Sequence, residues 1–382
     1  MPERELSVRL LTPVSSATSG RGDSIQAVLT SSSIAQDGLR LPPGLLIRGA
    51  VLDAEKQSAD HGRAVLRLGF DSWQDAFGQW HPLHARVVSV DNARETFESD
   101  GTILGIAPVR ERPGRVEDLL LLAAFAHPLV LAMIVAGKFE LCEHSRPEIE
   151  YGKGVDLTLA VSDPLGIPAN LLPPSRPVGD EVPPSPELQA LVHSLPLRTY
   201  SKLPSKPSDL TNLLFLGTED QLHHAFDDAG WSTALALCLR TEVKTFFAVA
   251  ERNAYTEGPV STLMIDGRSP DLVFQKQNNT FSKRHHIRIW KTEHIVDGRP
   301  VWIGAGTHDI GILFSREART FTHAVEHNVD LERDKVVADL RFTGKVASVS
   351  WVDRPAAPRS FQNATGDALQ TDGRMAVLIL SH

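Results

Sequence analysis

The run DLTNLLFLGTEDQLHHAFDDAGW, Asp209 to Trp231, decides the fold class of this chain. Its first part, ending at Leu216, is an apolar stretch of strand length. Its second part has helical period, with Leu222, Ala225, Phe226 and Ala229 recurring on one face. Thr218 and Gln221 stand at capping-box spacing, and Gly230 supplies the stop. A strand that leads straight into a helix predicts a mixed domain rather than an all-β one.

Toward the C-terminus the same alternation continues. A second helix is expected through Trp231 to Glu251, followed by β-structure from Ser261 to Ile312, punctuated by the hairpin turns Asp266-Gly267 and Asp297-Gly298. Asp330 is expected to cap a last helix, with Leu331, Val336, Val337 and Leu340 facing inward. The domain is placed at 208–346, with a C-terminal extension, 347–382, of one or two strands. Toward the N-terminus lies a proline-rich stretch, 163–207, with Pro173-Pro174 and Pro183-Pro184; it reads as a semi-rigid linker carrying a short helix at Pro186 to Ser194.

Residues 1–162 read as a second domain. Short β-rich runs, SIQAVLT, LLIRGAVLDA and AVLRLGF, alternate with turn signals such as Pro42-Pro43-Gly44 and Asp37-Gly38. This predicts a small antiparallel barrel or sandwich. PEIEYGKGVDLTLAV, Pro147 to Val161, returns to the pattern and is expected to pair back into the sheet. Between them an apolar helical insertion is placed at 117–138. Its core, LLLLAAFAHPLVLAMIVAG from Leu119 to Gly137, has no charged side chain in 19 positions. That length suffices to cross a bilayer, whereas Pro128 and His127 fit a buried or interfacial helical hairpin. The fold class is therefore α+β: barrel or sandwich with helical insertion, linker, then a mixed domain.

Composition bounds the function. With 42% apolar and 23% charged residues among 382, the chain is globular and long enough for two cores. A formal charge of -8, from 39 basic and 47 acidic residues, argues against nucleic acid as a partner. The two cysteines, Cys142 and Cys238, offer neither a disulfide framework nor a cysteine-based zinc site. Met1 to Val14 is charged and lacks the apolar core of roughly 7 to 15 residues of a signal peptide. No cofactor motif is evident.

Nine of the fifteen histidines lie beyond Lys206. The central element is SKRHHIRIW, Ser282 to Trp290. On a strand, Arg284, His286, Arg288 and Trp290 share one face, and His285, Ile287 and Ile289 the other. Arginine forks beside an imidazole suit recognition of phosphate, carboxylate or sulfate. The alternative is a solvated face on which Arg covers Trp290. The GAGTHD run, Gly304 to Asp309, follows a strand; its glycines allow close backbone approach, and His308 and Asp309 point oppositely if extended. Asp309 is then placed to orient His286 or His323. His323 and His327 have metal-ligand spacing only if helical, and Val325 with Asn328-Val329 opposes that, so no metal is assigned.

These segments resemble, in order, the LssY-like C-terminal domain family over about Asp209 to Gly344: DLTNLLFLG, PVSTLMIDGRSPDLVFQK (Pro259 to Lys276), RHHIRIW, DGRPVWIGAGTHDIGI (Asp297 to Ile312) and THAVEHNVDLERDKVVADL (Thr322 to Leu340). The resemblance implies a bacterial protein of the cell envelope, membrane-associated or periplasmic, and implies no reaction. The pattern at Gly22 to Val51 is similar to small β-barrels of bacterial secretion and conjugation scaffolds. Two readings follow. In one, the chain is a binding or scaffold module for an anionic small molecule or lipid headgroup, with Arg284, Arg288, Trp290, His308 and Lys276 as ligand-binding residues. In the other it is a phosphoester hydrolase, with His286 or His323 as base or nucleophile and Asp309 orienting it.

Overall fold

Alternation of buried and half-buried side chains over the first six residues of its long strands marks the first unit, 1–177, of a chain that divides into two units, the second being 178–382. The structure is a computed structural model and describes residues 4–30, 33–34, 40–58, 62–106, 148–162, 169–173, 180–202, 204–233, 263–276, 283–315 and 320–381. The apolar insertion 117–138, most of the second helix placed at Trp231 to Glu251, and the Asp37-Gly38 turn lie outside the described residues. Among the described residues no helix is long and apolar enough to cross a membrane.

In the first unit six strands close into an antiparallel barrel. They are β1 (Arg4–Leu10), β2 (Ser24–Leu29), β3 (Leu46–Glu55), β4 (Val65–Gln74), β5 (Trp80–Val90) and β6 (Asp156–Val161). The order is β3-β2-β1-β6-β5-β4, and β4 returns to β3. Closure pairs the six strands in a ring, and the start of β4, Val65 to Arg67, also pairs a short further strand, Thr102–Leu104. The returning run closes the ring: β6 pairs β1 on one side and β5 on the other. Leu6, Val8, Leu66, Leu68, Val87 and Leu159 fill the interior. Gly49 is required where β3 crosses β4, because an added Cβ would lie 2.0 Å from the Gly69 carbonyl oxygen.

The second unit is built on a nine-stranded mixed sheet. Its strands are β7 (Asp180–Glu181), β8 (Leu213–Leu216), β9 (Trp231–Thr233), β10 (Leu272–Lys276), β11 (Arg284–Val296), β12 (Arg299–Ser315), β13 (Thr320–Val325), β14 (Val346–Asp353) and β15 (Arg374–Leu380). The order is β7-β14-β15-β8-β12-β11-β10-β9, with β13 also pairing β12. Three helices accompany it among the described residues: α1 (Pro186–Ser194), α2 (Glu219–Asp228) and α3 (Val329–Phe342). Leu213 and Phe215 pack with Ile287, Trp302, Phe226, Val336 and Leu340 on the α2–α3 side. Leu214, Leu216, Trp290, Ile303 and Val377 pack with Leu188 and Val192 of α1 on the other side. The fully apolar β8 is thus buried on both faces.

The Thr218–Gln221 capping box forms as read, and Gly230, at φ 78°, ends α2. The chain then differs from expectation. Instead of starting a helix, Trp231 to Thr233 turns at once into a strand antiparallel to β10, because the left-handed glycine reverses the chain onto the sheet and Trp231 fills its core. The stretch read as linker is partly structural: Ser185 caps α1, whose first residue is Pro186, and β7 joins the sheet edge alongside β14. The extension beyond 347 supplies β14 and β15, with β15 inside the sheet.

The last helix is capped by Asn328, not Asp330. Asp330 instead accepts from the Thr371 hydroxyl at 2.8 Å and the Asp372 amide at 2.5 Å, and pairs with Arg333. At about 100° per residue Leu331 falls on the side away from Leu340, and it is exposed. Its place inside is taken by Glu332 and Arg333. Arg333, fully buried, donates to Asp330, Asp372 and the Arg374 carbonyl and lies over Trp351.

Burial pushes Asp372 up, but hydrogen bonds from Arg333 and the Arg374 amide outweigh it and hold the carboxyl at about 2. A folded-state value below the ordinary one contributes stability above about pH 4 that is lost as pH falls toward 2. Denaturant unfolding followed across that range will therefore show a declining free energy, with a shallower decline in Asp372→Asn. Arg333→Ala will cost about 3 to 5 kcal/mol at neutral pH, as expected for a buried ion pair deprived of one partner.

Candidate functional site

The tight Asp297-Gly298 turn, with φ of 48° and 73°, joins β11 to β12 and sets which side chains stand abreast. Arg284 pairs Asp309, His285 pairs His308, His286 pairs Thr307 and Arg288 pairs Ala305. Paired residues share a face, so this end of the hairpin carries polar groups on both sides of the sheet. The GAGTHD run lies within β12 and is not a loop after a strand.

On the α1 side stand Arg284, His286, Arg288, Thr307 and Asp309. Arg284 donates to Asp309 Oδ2 through Nε at 3.1 Å and a terminal nitrogen at 2.8 Å. His286 Nδ1 lies 3.8 Å from the same oxygen. Arg288 lies 3.5 Å from Asp209 Oδ2, an ion pair without hydrogen-bond geometry; Thr307 donates to that same oxygen at 3.1 Å. His286, Arg288, Thr307, Asp309 and Asp209 are buried, and Arg284 is nearly so. Burial raises Asp309 to about 6 against the pull of Arg284, and burial pulls the Arg288 guanidinium down.

On the α2–α3 side the same end carries His285 and His308, whose rings stack with centroids 3.9 Å apart and planes 13° apart. His285 Nδ1 lies 2.6 Å from Glu332 Oε2 of α3. Gly306 makes room for that approach: a Cβ there would stand 3.3 Å from Glu332 Cγ. Burial raises the Glu332 carboxyl, with His285 opposing. The donor atoms of His285, His308 and Glu332 all lie within 4.8 Å of one another, a set that could hold a metal ion. Farther along, buried Lys276 donates to Asp339 Oδ2 and the Ala229 carbonyl, both at 2.9 Å, and Trp231 Nε1 donates to the same Asp339 oxygen at 2.9 Å.

Of the residues singled out in the sequence, Arg284, His286, Arg288 and Asp309 come together. Lys276 and His308 are on the opposite face, Lys276 bound to Asp339. Trp290 is a core residue whose indole donates to the Arg268 carbonyl at 3.1 Å. His323 is placed by its backbone alone, paired with Ile312 on β13, and its side chain lies outside the description. His327 leaves the strand and contacts the Ala368 carbonyl at 2.6 Å, so no helix presents it beside His323. Asp209, His285 and Glu332 were given no role in the sequence, although alternation places His285 on the correct face with Ile287 and Ile289. Asp209 opens the DLTNLLFLG run, and Glu332 stands in the acidic first turn of α3; neither carries a mark of its partner.

Residues 194–375 match the LssY C-terminus family. The chain carries an LssY C-terminal domain. The match spans the site on both faces, and it runs wider than the motifs that pointed to it, from the end of α1 to the start of β15. No curated protein matches the chain.

In this LssY C-terminal domain, Lys276 and Asp339 are one buried pair. Lys276→Met will leave the Asp339 charge uncompensated by its cation and lower unfolding stability by about 3 to 5 kcal/mol. Adding Asp339→Leu will recover much of that loss, as a double-mutant cycle by denaturant unfolding will read.

Proposed function

We propose that the LssY C-terminal domain binds an anionic, phosphate-bearing group, a small molecule or a lipid headgroup, and that the chain serves as a binding or scaffold module of the bacterial cell envelope. One observation carries the reading: Arg288, a buried guanidinium, faces Asp209 without hydrogen-bond geometry, and its buried terminal nitrogen has no hydrogen-bond partner among the described residues. Such an unspent charged donor is costly. It is relieved by an oxygen anion that accepts from the fork, with Arg284 and His286 on the same face. The envelope setting is what the sequence resemblance to the LssY-like family implies, and the uncharged Leu119 to Gly137 run suits membrane contact. The N-terminal barrel is the positioning part in this scheme.

A phosphoester hydrolase is the second reading, favoured by the placing of His286 beside Asp309 on one face, 3.8 Å apart and short of a hydrogen bond. Titration of the full-length chain with inorganic phosphate and with glycerol 3-phosphate separates binding from no binding. Arg288→Ala, checked for native melting, is expected to weaken binding about tenfold or more, the worth of one charged hydrogen bond. Arg288→Lys, which keeps charge but loses the fork, serves if the alanine variant does not fold. Unchanged binding in both would overturn the anion site. Turnover of p-nitrophenyl phosphate that disappears in His286→Ala would decide for the hydrolase.

A further inference from the structure

On the opposite face of the same strand pair, we infer that His285, His308 and Glu332 form a binding site for a first-row divalent transition-metal ion. The inference does not draw on the arginines or on anion recognition.

Two imidazoles and one carboxylate are a borderline donor set, suited to zinc, iron, nickel or copper rather than to calcium or magnesium. With three protein ligands, a tetrahedral ion keeps one position open for water or a ligand. Metal–ligand bonds of about 2.0 to 2.2 Å put tetrahedral ligand atoms roughly 3.4 Å apart. The three donor atoms already lie within 4.8 Å of one another, and the two imidazoles stand parallel with centroids 3.9 Å apart. Because an imidazole lone pair lies in the plane of its ring, binding turns at least one of the two stacked rings about its side-chain torsions, out of the stack, so that both nitrogens face one ion.

The second observation is independent of the clustering. Glu332 is 2% exposed, and while its Oε2 meets His285, its buried Oε1 has no hydrogen-bond partner among the described residues. A buried carboxylate oxygen left without a donor is among the most expensive polar atoms a fold can carry. Gly306 is the residue that lets Glu332 sit this close to the strands. The site is also held on rigid parts, two paired strands and a helix. His308, half-buried where its partners are buried, supplies the way in.

The test uses the full-length chain stripped by chelator and titrated with Zn²⁺ against a chromophoric competitor, with Co²⁺ as spectroscopic probe. One ion per chain is expected, with a cobalt d–d band of a nitrogen–oxygen site and a raised melting temperature. His308→Ala and Glu332→Gln should each weaken binding by about 100-fold or more, beyond the 10- to 100-fold typical of groups that only orient a ligand. His223→Ala and His294→Ala should leave it unchanged, which separates this site from adventitious binding to other histidines. Should Glu332→Gln fail to fold, the half-buried His308→Ala variant and the wild-type cobalt spectrum still decide. Absence of a stoichiometric ion on folded wild type, or equal affinity in folded His308→Ala, would overturn the site whatever the outcome for phosphate.

Discussion

The register of the β11–β12 hairpin is the constraint on which the second unit depends. The left-handed pair Asp297-Gly298 suits the twist of the two strands, and the single irregularity between Lys291 and Ile295 is absorbed close to that turn. From Trp290 to Arg284 the ladder then runs in step. A slip by one residue would send Arg284, Arg288 and Asp309 into the layer where Ile287, Trp302 and Phe226 pack. Burying two guanidiniums and a carboxylate among those side chains would cost far more than any compensating contact could return. The apolar half of the hairpin therefore enforces the arrangement of the polar half.

The polar half is not explained by stability. Replacing a buried ion pair by well-packed apolar residues is often neutral or stabilising by about 1 to 4 kcal/mol. Here the charged groups are concentrated at one end of the sheet on both faces: Arg284–Asp309 and Arg288–Asp209 on one side, Lys276–Asp339 and His285–Glu332 on the other. The far end of the same strands, from Ile287 and Ile289 to Trp302 and Ile303, is packed with apolar side chains. A fold that needed only a core would continue that pattern. Departure from it, sustained on β10, β11, β12 and α3 and met by Asp209, is the pattern from which a site is proposed.

Much of this was legible in the sequence, and the limit has a physical cause. Alternation along Ser282 to Trp290 assigns Arg284, His286 and Arg288 to one face, and the Thr218–Gln221 box and the Asp-Gly turns are local signals that need no knowledge of the fold. Period alone does not say which residue of another strand stands opposite. Register depends on a turn and a bulge together, so the pairing of His285 with His308 could not be read. Glu332 was harder still: it lies 47 positions from His285, on a helix whose inward face also accommodates Arg333, while apolar Leu331 turns to solvent. An apolar-face reading of that helix necessarily puts Leu331 inside and the acids outside. Trp231 failed for a related reason, since helix propensity carried past Gly230 although the left-handed turn there redirects the chain.

Strand alternation also separates the charges by sign. On the α1 side two guanidiniums meet two carboxylates, so the formal charges cancel while His286 is neutral and become positive when it is protonated. On the α2–α3 side Lys276 and Asp339 cancel, which leaves the Glu332 carboxyl, raised by burial, among two imidazoles and near the half-buried Lys335. The layer of paired backbone between the two faces keeps imidazoles and carboxylates of one side from reaching the arginines of the other. In the proposed scheme one side takes an anion and the other a cation, and neighbouring positions of a single strand, His285 and His286, face the two. A helix could not divide adjacent residues so completely, because its 100° step leaves neighbours on overlapping faces. The extended backbone of this one hairpin, anchored by its apolar half, is what permits two chemically opposed environments within a few residues.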